Sequence, residues 1–290
     1  MSKADILFVN MCNDIINSGI SDINADVRPK WEDGTPAHTI KKFGVVNRYD
    51  LREEFPAITL RRTAIKSAID EVLWIYQKKS NNVKDLNSHI WDQWADKNGS
   101  IGKAYGYQIG NPTITNPHYS AFTGDKNKID QMDNVLFLLK HEPFSRRIMT
   151  NMMNMSELHE MALHPCCWSC TFNVTDEGGD KLVLNMVLNQ RSQDTLAANN
   201  WNVVQYAALL MMVAQVSDMV PGVLLHVIAD AHIYDRHIPL VKELIERQQF
   251  VAPIVTLDPD IKDFYQFTPE SFKVEKYTFG PQIENIPIAE

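Results

Sequence analysis

The clearest pattern of apolar and polar positions lies between residues 63 and 79. Apolar side chains recur there at intervals of three and four, which predicts a helix over Thr63–Lys79. The positions are Ile65, Ala68, Ile69, Val72, Leu73 and Tyr76. Glu71 lies off this stripe, in the same segment as Trp74 and several small residues. A carboxylate in such a place is ordinarily solvated, but the Trp and the small residues indicate that this face is covered too.

Two further helices differ in how their apolar residues are distributed. Val203–Val216 is apolar on nearly every face, which predicts a buried central helix. Asn200 or Asn202 could cap its first turn. Pro239–Gln249 has one apolar and one charged face, which is typical of a surface helix.

Shorter apolar segments predict strands. Thr171–Val174 and Leu182–Leu188 flank the turn sequence Asp-Glu-Gly-Gly-Asp, which indicates a hairpin. Val223–Ile228 and Ile254–Leu257 are further candidates. Strands and helices interleave without a regular βαβ period, so an α+β fold is predicted. The Asn-, Thr-, Pro- and Gly-rich segment Gly110–Lys128 is too short to mark a domain boundary, and residues 1–290 are predicted to form a single domain.

Charge and composition limit the partners. The chain has a formal net charge of −8, and no run of Lys or Arg exceeds two residues, which argues against DNA, RNA or an anionic membrane as the main partner. A small anionic ligand needs only a few arginines and remains possible. The N-terminus does not resemble a signal peptide, and no apolar run approaches the ~20 residues of a membrane span. Four cysteines without framework spacing favour a reducing compartment, so a soluble, cytoplasmic protein is expected.

Three of the four cysteines lie within five positions, as Cys166, Cys167 and Cys170. A zinc site needs four ligands, and a redox dithiol should open a helix, whereas this segment leads into a strand. Residues 167 and 170 have opposite parity, so on a regular strand their side chains should point to opposite faces. The C-x-x-C spacing is therefore interpreted as coincidental. Either Cys166 or Cys167 remains a candidate nucleophile, against the alternative of a small buried apolar residue.

Polar groups elsewhere could accompany such a thiol. The stretch Leu188–Asp194 places several at the predicted end of a strand, and Arg191 among them could hold an anion and lower a nearby thiol pKa. Arg28, Arg146 and Arg147 offer forked donors suited to phosphate. Neither a P-loop nor a G-x-G-x-x-G motif is present, so a phosphate would have to be bound by side chains. A surface loop with salt bridges is the simpler alternative. The spacing of five between His232 and His237 does not favour a metal site.

Taken together, these segments resemble the thymidylate synthase family over essentially the whole chain. The matching motifs, in family order, are DEVLWIY, IWDQWAD, GKAYGYQ, SRRI, ALHPC, NQRSQD, WNVVQYA, DAHIYDRH and IPIA. The resemblance implies a mixed β-sheet packed with helices, and a homodimer whose sheets stack across the interface. It also implies reductive methylation of dUMP to dTMP, with 5,10-methylenetetrahydrofolate as the cosubstrate and no metal.

The resemblance further implies a role for each matching residue. Cys166 would add to carbon 6 of the uracil ring, and Glu71 and Tyr105 would serve proton transfers. The dUMP-binding residues would be Arg28, Gln190, Arg191, Ser192, Asp194, Asn202, His232 and Tyr234, with Arg146 and Arg147 supplied by the other subunit. The folate-binding residues would be Trp91, Trp94, Leu163, Asp194, Ala198, Trp201 and Ala289. Aromatic residues in such a pattern are more often core residues than walls of a ligand site, and that alternative stays open.

Several positions depart from the family pattern, mostly on the folate side. They are Met153, Cys167, Ala198, Asn200, Trp201, Ala229 and Glu290. An alternative is therefore a dUMP hydroxymethylase, in which water intercepts the methylene group; Asn202 favours uracil over cytosine. The presence of Trp91 and Leu163 predicts dTMP as the main product, and an ionised Glu290 at the closing C-terminus predicts a minor hydroxymethyl product. A metal or redox module at Cys167 and Cys170, and a nucleotide-binding relative without turnover, are further alternatives.

Overall fold

A computed structural model describes residues 1–123 and 128–289. Glu290 and part of the predicted loop Gly110–Lys128 lie outside the described residues. The α-helices are α1 (Lys3–Ser18), α2 (Ile65–Tyr76), α3 (Gly106–Gly110), α4 (Pro117–Thr123), α5 (Gln131–His141), α6 (Asn199–Val216) and α7 (Ile238–Ile245). The strands are β1 (Ile20–Ser21), β2 (Thr39–Asp50), β3 (Met149–Asn151), β4 (Cys167–Thr175), β5 (Val183–Gln190), β6 (Gln193–Asp194), β7 (Val220–Tyr234), β8 (Ile254–Leu257) and β9 (Phe272–Glu275).

The main sheet contains strands that run in both directions. Its order is β1-β2-β7-β5-β4-β3, with β6 paired to β7, and β8 and β9 form a separate two-stranded sheet. Neighbours are antiparallel except where β5 and β6 pair with β7 in parallel. The predicted α+β fold with a mixed sheet is confirmed. Stacking of two sheets across a dimer stays a prediction.

Helix α6 packs on β5 and β7 at one face of the sheet, and α2 packs against α6. Ten of the twelve residues of α2 are buried, Glu71 among them, so the interpretation of its second face as covered is confirmed. The predicted central helix is also found, since thirteen of the eighteen residues of α6 are buried. On the opposite face of the sheet, apolar side chains such as Val187, Leu225 and Val227 remain only half-buried.

Some predicted boundaries were wrong. Helix α6 begins at Asn199, after an Ala198 cap position that makes no side-chain hydrogen bond, so neither Asn200 nor Asn202 caps it. Both asparagines lie inside the first turn, and the Asn202 amide makes its hydrogen bonds with Gln190 and Gln205. The predicted helix Pro239–Gln249 ends at Ile245. Strand β7 extends to Tyr234, well past the predicted end at Ile228, because β2 pairs with it along its length.

The inference that Cys167 and Cys170 point to opposite faces was wrong. The pairing of β4 with β5 shifts register between Cys167 and Ser169, and this bulge at Trp168 breaks the alternation. Both thiols are buried beside Tyr206, and all four cysteines are free. Among the described residues, no group of three or more His, Cys, Asp or Glu side chains is arranged to hold a metal ion. No helix in those ranges has the length and apolar character needed to cross a bilayer.

Candidate active site

Cys166 lies immediately before β4 and is half-buried, in contrast to Cys167. Its backbone N–H donates to the Tyr105 hydroxyl oxygen at 3.1 Å, and its carbonyl accepts from the Arg191 backbone N–H at 2.9 Å. The Arg191 guanidinium donates to the carbonyls of Pro165 and His164, and its Nη2 lies 3.8 Å from the Cys166 Sγ. The predicted proximity of thiol and arginine is therefore found.

The thiol pKa follows from two opposing effects. Burial raises the pKa of Cys166, while the positive charge of Arg191 and the Tyr105 hydroxyl lower it, and burial is the larger effect. Arg191 acts in the predicted direction, but the pKa of the thiol stays above its ordinary value. Cys166 is thus a thiol beside a permanent positive charge, which favours the thiolate once it forms.

Tyr105 lies between the thiol and the aromatic residues of the site. Its backbone has φ of 44°, an uncommon conformation for a bulky residue, at the start of α3. Its ring contacts the Trp91 ring edge-on, with centroids 4.9 Å apart. Burial raises the Tyr105 pKa well above its usual value, so the hydroxyl keeps its proton near neutral pH. Strained backbone of this kind is frequent at functional sites.

Glu71 points into the protein from α2 and is held by two indoles. Trp91 Nε1 donates to its Oε1 at 3.0 Å, and Trp201 Nε1 donates to its Oε2 at 2.6 Å. Burial raises the pKa of Glu71, and the hydrogen bonds from both tryptophans and from Gln205 oppose that rise. Trp201 was predicted for folate binding alone. Its contact with a residue 130 positions earlier has no sequence signal.

An amide network lies beside Glu71. Gln190 Nε2 donates to Asn202 Oδ1 at 3.1 Å, and Asn202 Nδ2 donates to Gln205 Oε1 at 3.0 Å. At the other end, Gln190 Oε1 lies 2.7 Å from His226 Nε2. Burial lowers the pKa of His226 to about 3, so its ring is neutral and donates here. This chain of bonds sets the orientation of the Asn202 amide.

Asp194 lies at the end of β6, opposite His232 on β7. Its Oδ1 accepts from the backbone N–H groups of Leu196 and Ala197, and lies 3.5 Å from His237 Nδ1. The other ring nitrogen of His237 lies 2.8 Å from the Pro287 carbonyl. His237 therefore connects Asp194 to the C-terminal segment that contains Ala289.

The sugar-binding candidates lie next to one another at the end of β7. His232 Nδ1 lies 2.8 Å from Asp230 Oδ1, and its ring contacts the Tyr234 ring at 5.1 Å. Burial raises the pKa of Tyr234 to about 12, and the charge of Arg28 acts against that rise, which places Arg28 nearby. Arg28 itself is exposed.

Arg146 and Arg147 are not brought to this site within one chain. Both are exposed, and their own segment, His141–Arg147, lines an open cavity of about 660 Å³. Among the described residues, neither guanidinium contacts Cys166 or Arg191. The remaining predicted residues are half-buried: Trp94, which contacts Trp91, and Leu163, Ser192, Ala198 and Ala289.

Three residues of the site were missed by sequence reasoning as participants. Gln205 and His226 orient the Asn202 amide, and His237 joins Asp194 to the C-terminus. His237 belongs to the DAHIYDRH motif, so its presence near the site could have been anticipated. Gln205 and His226 lie in otherwise apolar segments, where a buried polar residue is a weak signal.

Comparisons with known proteins agree with this geometry. A sequence model described as thymidylate synthase matches residues 7–289. Thymidylate synthase 1 of Bacillus subtilis (strain 168) is 42% identical over 98% of both chains, and the thymidylate synthase of Bacillus phage phi3T is 41% identical over 98% of both. A solved structure of thermostable thymidylate synthase A from Bacillus subtilis superimposes with a TM-score of 0.90, at 41% identity and 99% coverage of each chain. The chain belongs to the thymidylate synthase family.

Membership of the thymidylate synthase family confirms the resemblance inferred from the ordered motifs. The relatives are named as thymidylate synthases across the full chain, so a methyltransferase is indicated, and the principal prediction is favoured over the hydroxymethylase alternative.

Proposed function

We propose that this protein converts dUMP to dTMP, with 5,10-methylenetetrahydrofolate as the donor of both the one-carbon unit and the hydride. The observation that carries the proposal is the arrangement around Cys166. A half-buried thiol lies 3.8 Å from the Arg191 guanidinium and beside the Tyr105 hydroxyl. An electrophilic ring carbon can be attacked from such a position.

The phosphate of dUMP would be bound next to the thiol. Arg191 and Ser192 follow β5 directly, and exposed Arg28 lies near Tyr234. Arg146 and Arg147, exposed and remote from Cys166 within one chain, would reach the phosphate from a second subunit. Guanidinium groups suit phosphate because each can donate two parallel hydrogen bonds.

The uracil and the sugar would be recognised by neutral groups. The Asn202 amide can donate and accept, which matches the adjacent carbonyl and N–H of uracil. Gln190 and Gln205 already hold that amide in one orientation. His232 and Tyr234, with ring centroids 5.1 Å apart, would bind the sugar hydroxyl.

The reaction would proceed through a covalent adduct. Cys166 Sγ bonds to carbon 6, and the electron pair of the 5,6 double bond moves towards carbon 5 and oxygen 4. Carbon 5 then bonds to the methylene of the folate cosubstrate as the bond from that methylene to N10 breaks, and carbon 5 loses its proton in a transfer served by Tyr105 and Glu71. Tetrahydrofolate leaves as an amine, then delivers hydride to the exocyclic methylene. Cys166 departs with its electron pair, leaving dTMP and dihydrofolate.

The folate would lie on the aromatic side of the site. Trp91, Trp94, Leu163, Ala198, Trp201 and Ala289 would form its walls. Asp194 would bind its pteridine ring, and the contact of His237 with Pro287 keeps the C-terminal segment close. A closed C-terminus would exclude water from the methylene group before hydride transfer.

A homodimer is part of the proposal. The sheet face not covered by α2 and α6 carries half-buried Val187, Leu225 and Val227, with exposed Val46 at its side. A second copy stacked on this face would bury them and could bring its Arg146 and Arg147 to the phosphate. A cytoplasmic location accords with four free cysteines.

The test is mass identification of the product from dUMP and 5,10-methylenetetrahydrofolate, with dihydrofolate followed by its absorbance. We expect dTMP and dihydrofolate in equal amounts. Hydroxymethyl-dUMP with tetrahydrofolate as the main products would contradict the proposal. Binding of dUMP without any product would make the chain a catalytically inactive relative.

A further inference from the structure

Two indoles approach the Glu71 carboxylate from distant parts of the chain. Trp201 lies in the first turn of α6, and Trp91 precedes the short 3₁₀ turn Asp92–Trp94. One donates to Oε2 at 2.6 Å and the other to Oε1 at 3.0 Å. Each oxygen of one carboxylate therefore has its own neutral N–H donor.

The two indole N–H groups restrain the orientation of the Glu71 carboxylate, which lies where water cannot readily do so. Glu71 is 5% exposed in the interior of α2, so water has little access to replace a lost donor. Rotation about the terminal C–C bond of Glu71 would break both hydrogen bonds at once. A Phe at position 201 would keep an aromatic ring but would have no N–H to donate.

We propose that Trp201 is a positioning residue for Glu71: with Trp91, it holds the carboxylate oxygens in one orientation and sets the pH range in which Glu71 transfers protons. The inference rests on the proposed role of Glu71. Trp201 would act through Glu71, in addition to any contact that its ring makes with folate.

Several other groups face the same carboxylate. Cys167 on β4 and Tyr105 before α3 have pKa values raised well above the usual by burial, so both are neutral near pH 7. Asp70 on α2 adds a negative charge that acts against ionisation of Glu71, and Gln205 on α6 acts for it. Among these neighbours, the groups that stabilise the ionised form of Glu71 are therefore neutral hydrogen-bond donors.

The test is the pH dependence of kcat in Trp201→Phe, which keeps an aromatic ring and removes the donor. We expect the acidic limb to move upward by about one pH unit, because a lost hydrogen bond to a charged acceptor favours protonation. The rate should recover at pH values above the shifted limb. Trp31→Phe is the matched control: Trp31 also donates to a carboxylate, that of Asp235, at 3.1 Å. Its limb should stay at the wild-type position.

A limb that stays in place in Trp201→Phe, or a rate lowered equally at every pH, would overturn the inference. If Phe perturbs folding, benzothienylalanine at position 201 removes the N–H with almost no change of shape, and the same limb shift is expected. Infrared titration of the Glu71 carboxyl band, assigned by its loss in Glu71→Gln, reads the shift without turnover. A wild-type protein that makes no dTMP would instead refute the proposed function, while the titration still decides the inference.

Discussion

The thiol end and the carboxylate end of the site solve the same electrostatic problem differently. Burial raises the pKa of both Cys166 and Glu71, so in each case the charged form needs help. At Cys166 the help is mainly a full positive charge, the Arg191 guanidinium at 3.8 Å. At Glu71 it is two neutral indole N–H groups and an amide.

The difference teaches what each end can respond to. A guanidinium can interact with a phosphate as well as with a thiolate, so nucleotide binding and thiol ionisation are linked through Arg191. Neutral donors carry no net charge to share, so the protonation of Glu71 should be less sensitive to the anion. Ionisation of Cys166 should therefore respond to nucleotide binding, while protonation of Glu71 should respond less.

Replacement of Cys166 tests the assignment on which the comparison depends. We expect Cys166→Ala to lower kcat by about 10³-fold or more while dUMP still binds, because the covalent adduct cannot form. Cys167→Ala is the matched neighbour and should keep measurable activity, with some loss of stability from its buried position. Turnover in both variants, measured with dUMP titrations, decides the question. An active Cys166→Ala beside an inactive Cys167→Ala would reverse the assignment.

Replacement of Asn202 brings a charge into the neutral end. Asn202→Asp removes the amide that donates to Gln205 and offers a carboxyl that can meet the amino edge of cytosine. We expect the preference for dUMP over dCMP to fall by about tenfold or more, since a mismatched hydrogen bond to a charged group is costly. Steady-state kinetics with both nucleotides measure it. An unchanged preference would show that Asn202 serves only the network of Gln190 and Gln205.

Replacement of Arg191 measures how much the position of the positive charge matters at the thiol. In Arg191→Lys a positive charge remains, but without the fork over the carbonyls of Pro165 and His164 it is no longer held 3.8 Å from the Cys166 Sγ. We expect the midpoint of Cys166 alkylation by iodoacetamide to rise by about one pH unit. Arg52→Lys, at an exposed ion pair with Asp50, is the control and should leave the midpoint in place. If both variants alkylate like the wild type, Arg191 only braces the loop.

The smallest effect is expected at His237, where charge reappears on the folate side. Burial lowers the pKa of His237, but the hydrogen bond and charge of Asp194 and the Pro287 carbonyl outweigh it and leave the pKa raised. The protonated ring donates through Nε2 to the Pro287 carbonyl, and its Nδ1 faces the Asp194 carboxylate at 3.5 Å. This stabilisation is full below the unfolded pKa of about 6.5 and is lost as the pH rises through the higher folded value.

The hydrogen-exchange protection of the backbone amides in residues 281–289 should therefore fall by a factor of about three between pH 6 and pH 8. His237→Gln can still donate to Pro287 but cannot titrate, so its protection should be independent of pH. Hydrogen exchange, corrected for intrinsic rates, measures both proteins. Equal pH dependence in the two would mean that another group controls the C-terminal segment.

The parts of this molecule that sequence predicts well are local or motif-based. The periodic apolar residues of α2 and α6 are local properties, so both helices were found. The site residues came from ordered motifs, and the structure brings most of them together around Cys166. The bulge at Trp168 was missed because it depends on how β4 registers against β5.

Contacts between distant segments could not be predicted for the same reason. The bond from Trp201 to Glu71 joins residues 130 positions apart, and that from His237 to Pro287 joins residues 50 apart. Neither pair has a spacing rule, since only the packing of α6 on α2, or of the C-terminal segment on the 3₁₀ turn Asp235–His237, brings the atoms together. The sequence shows Trp201 as a departure from the family motif, but it does not show that Glu71 is the partner of its indole.

The pairing of β2 with β7 has a consequence for how the chain acquires its fold. Thr39 lies opposite Tyr234 and Asp50 opposite Val223. Strand β2 is therefore synthesised long before β7, the strand with which it pairs. Val220 follows Asp50 by 170 positions, a delay on the order of ten seconds at usual rates of synthesis. Contacts so distant in sequence make folding slow, since the loop must close before they form. The β2–β7 pair is therefore completed only after most of the chain has left the ribosome, and until then β2 has an unpaired edge.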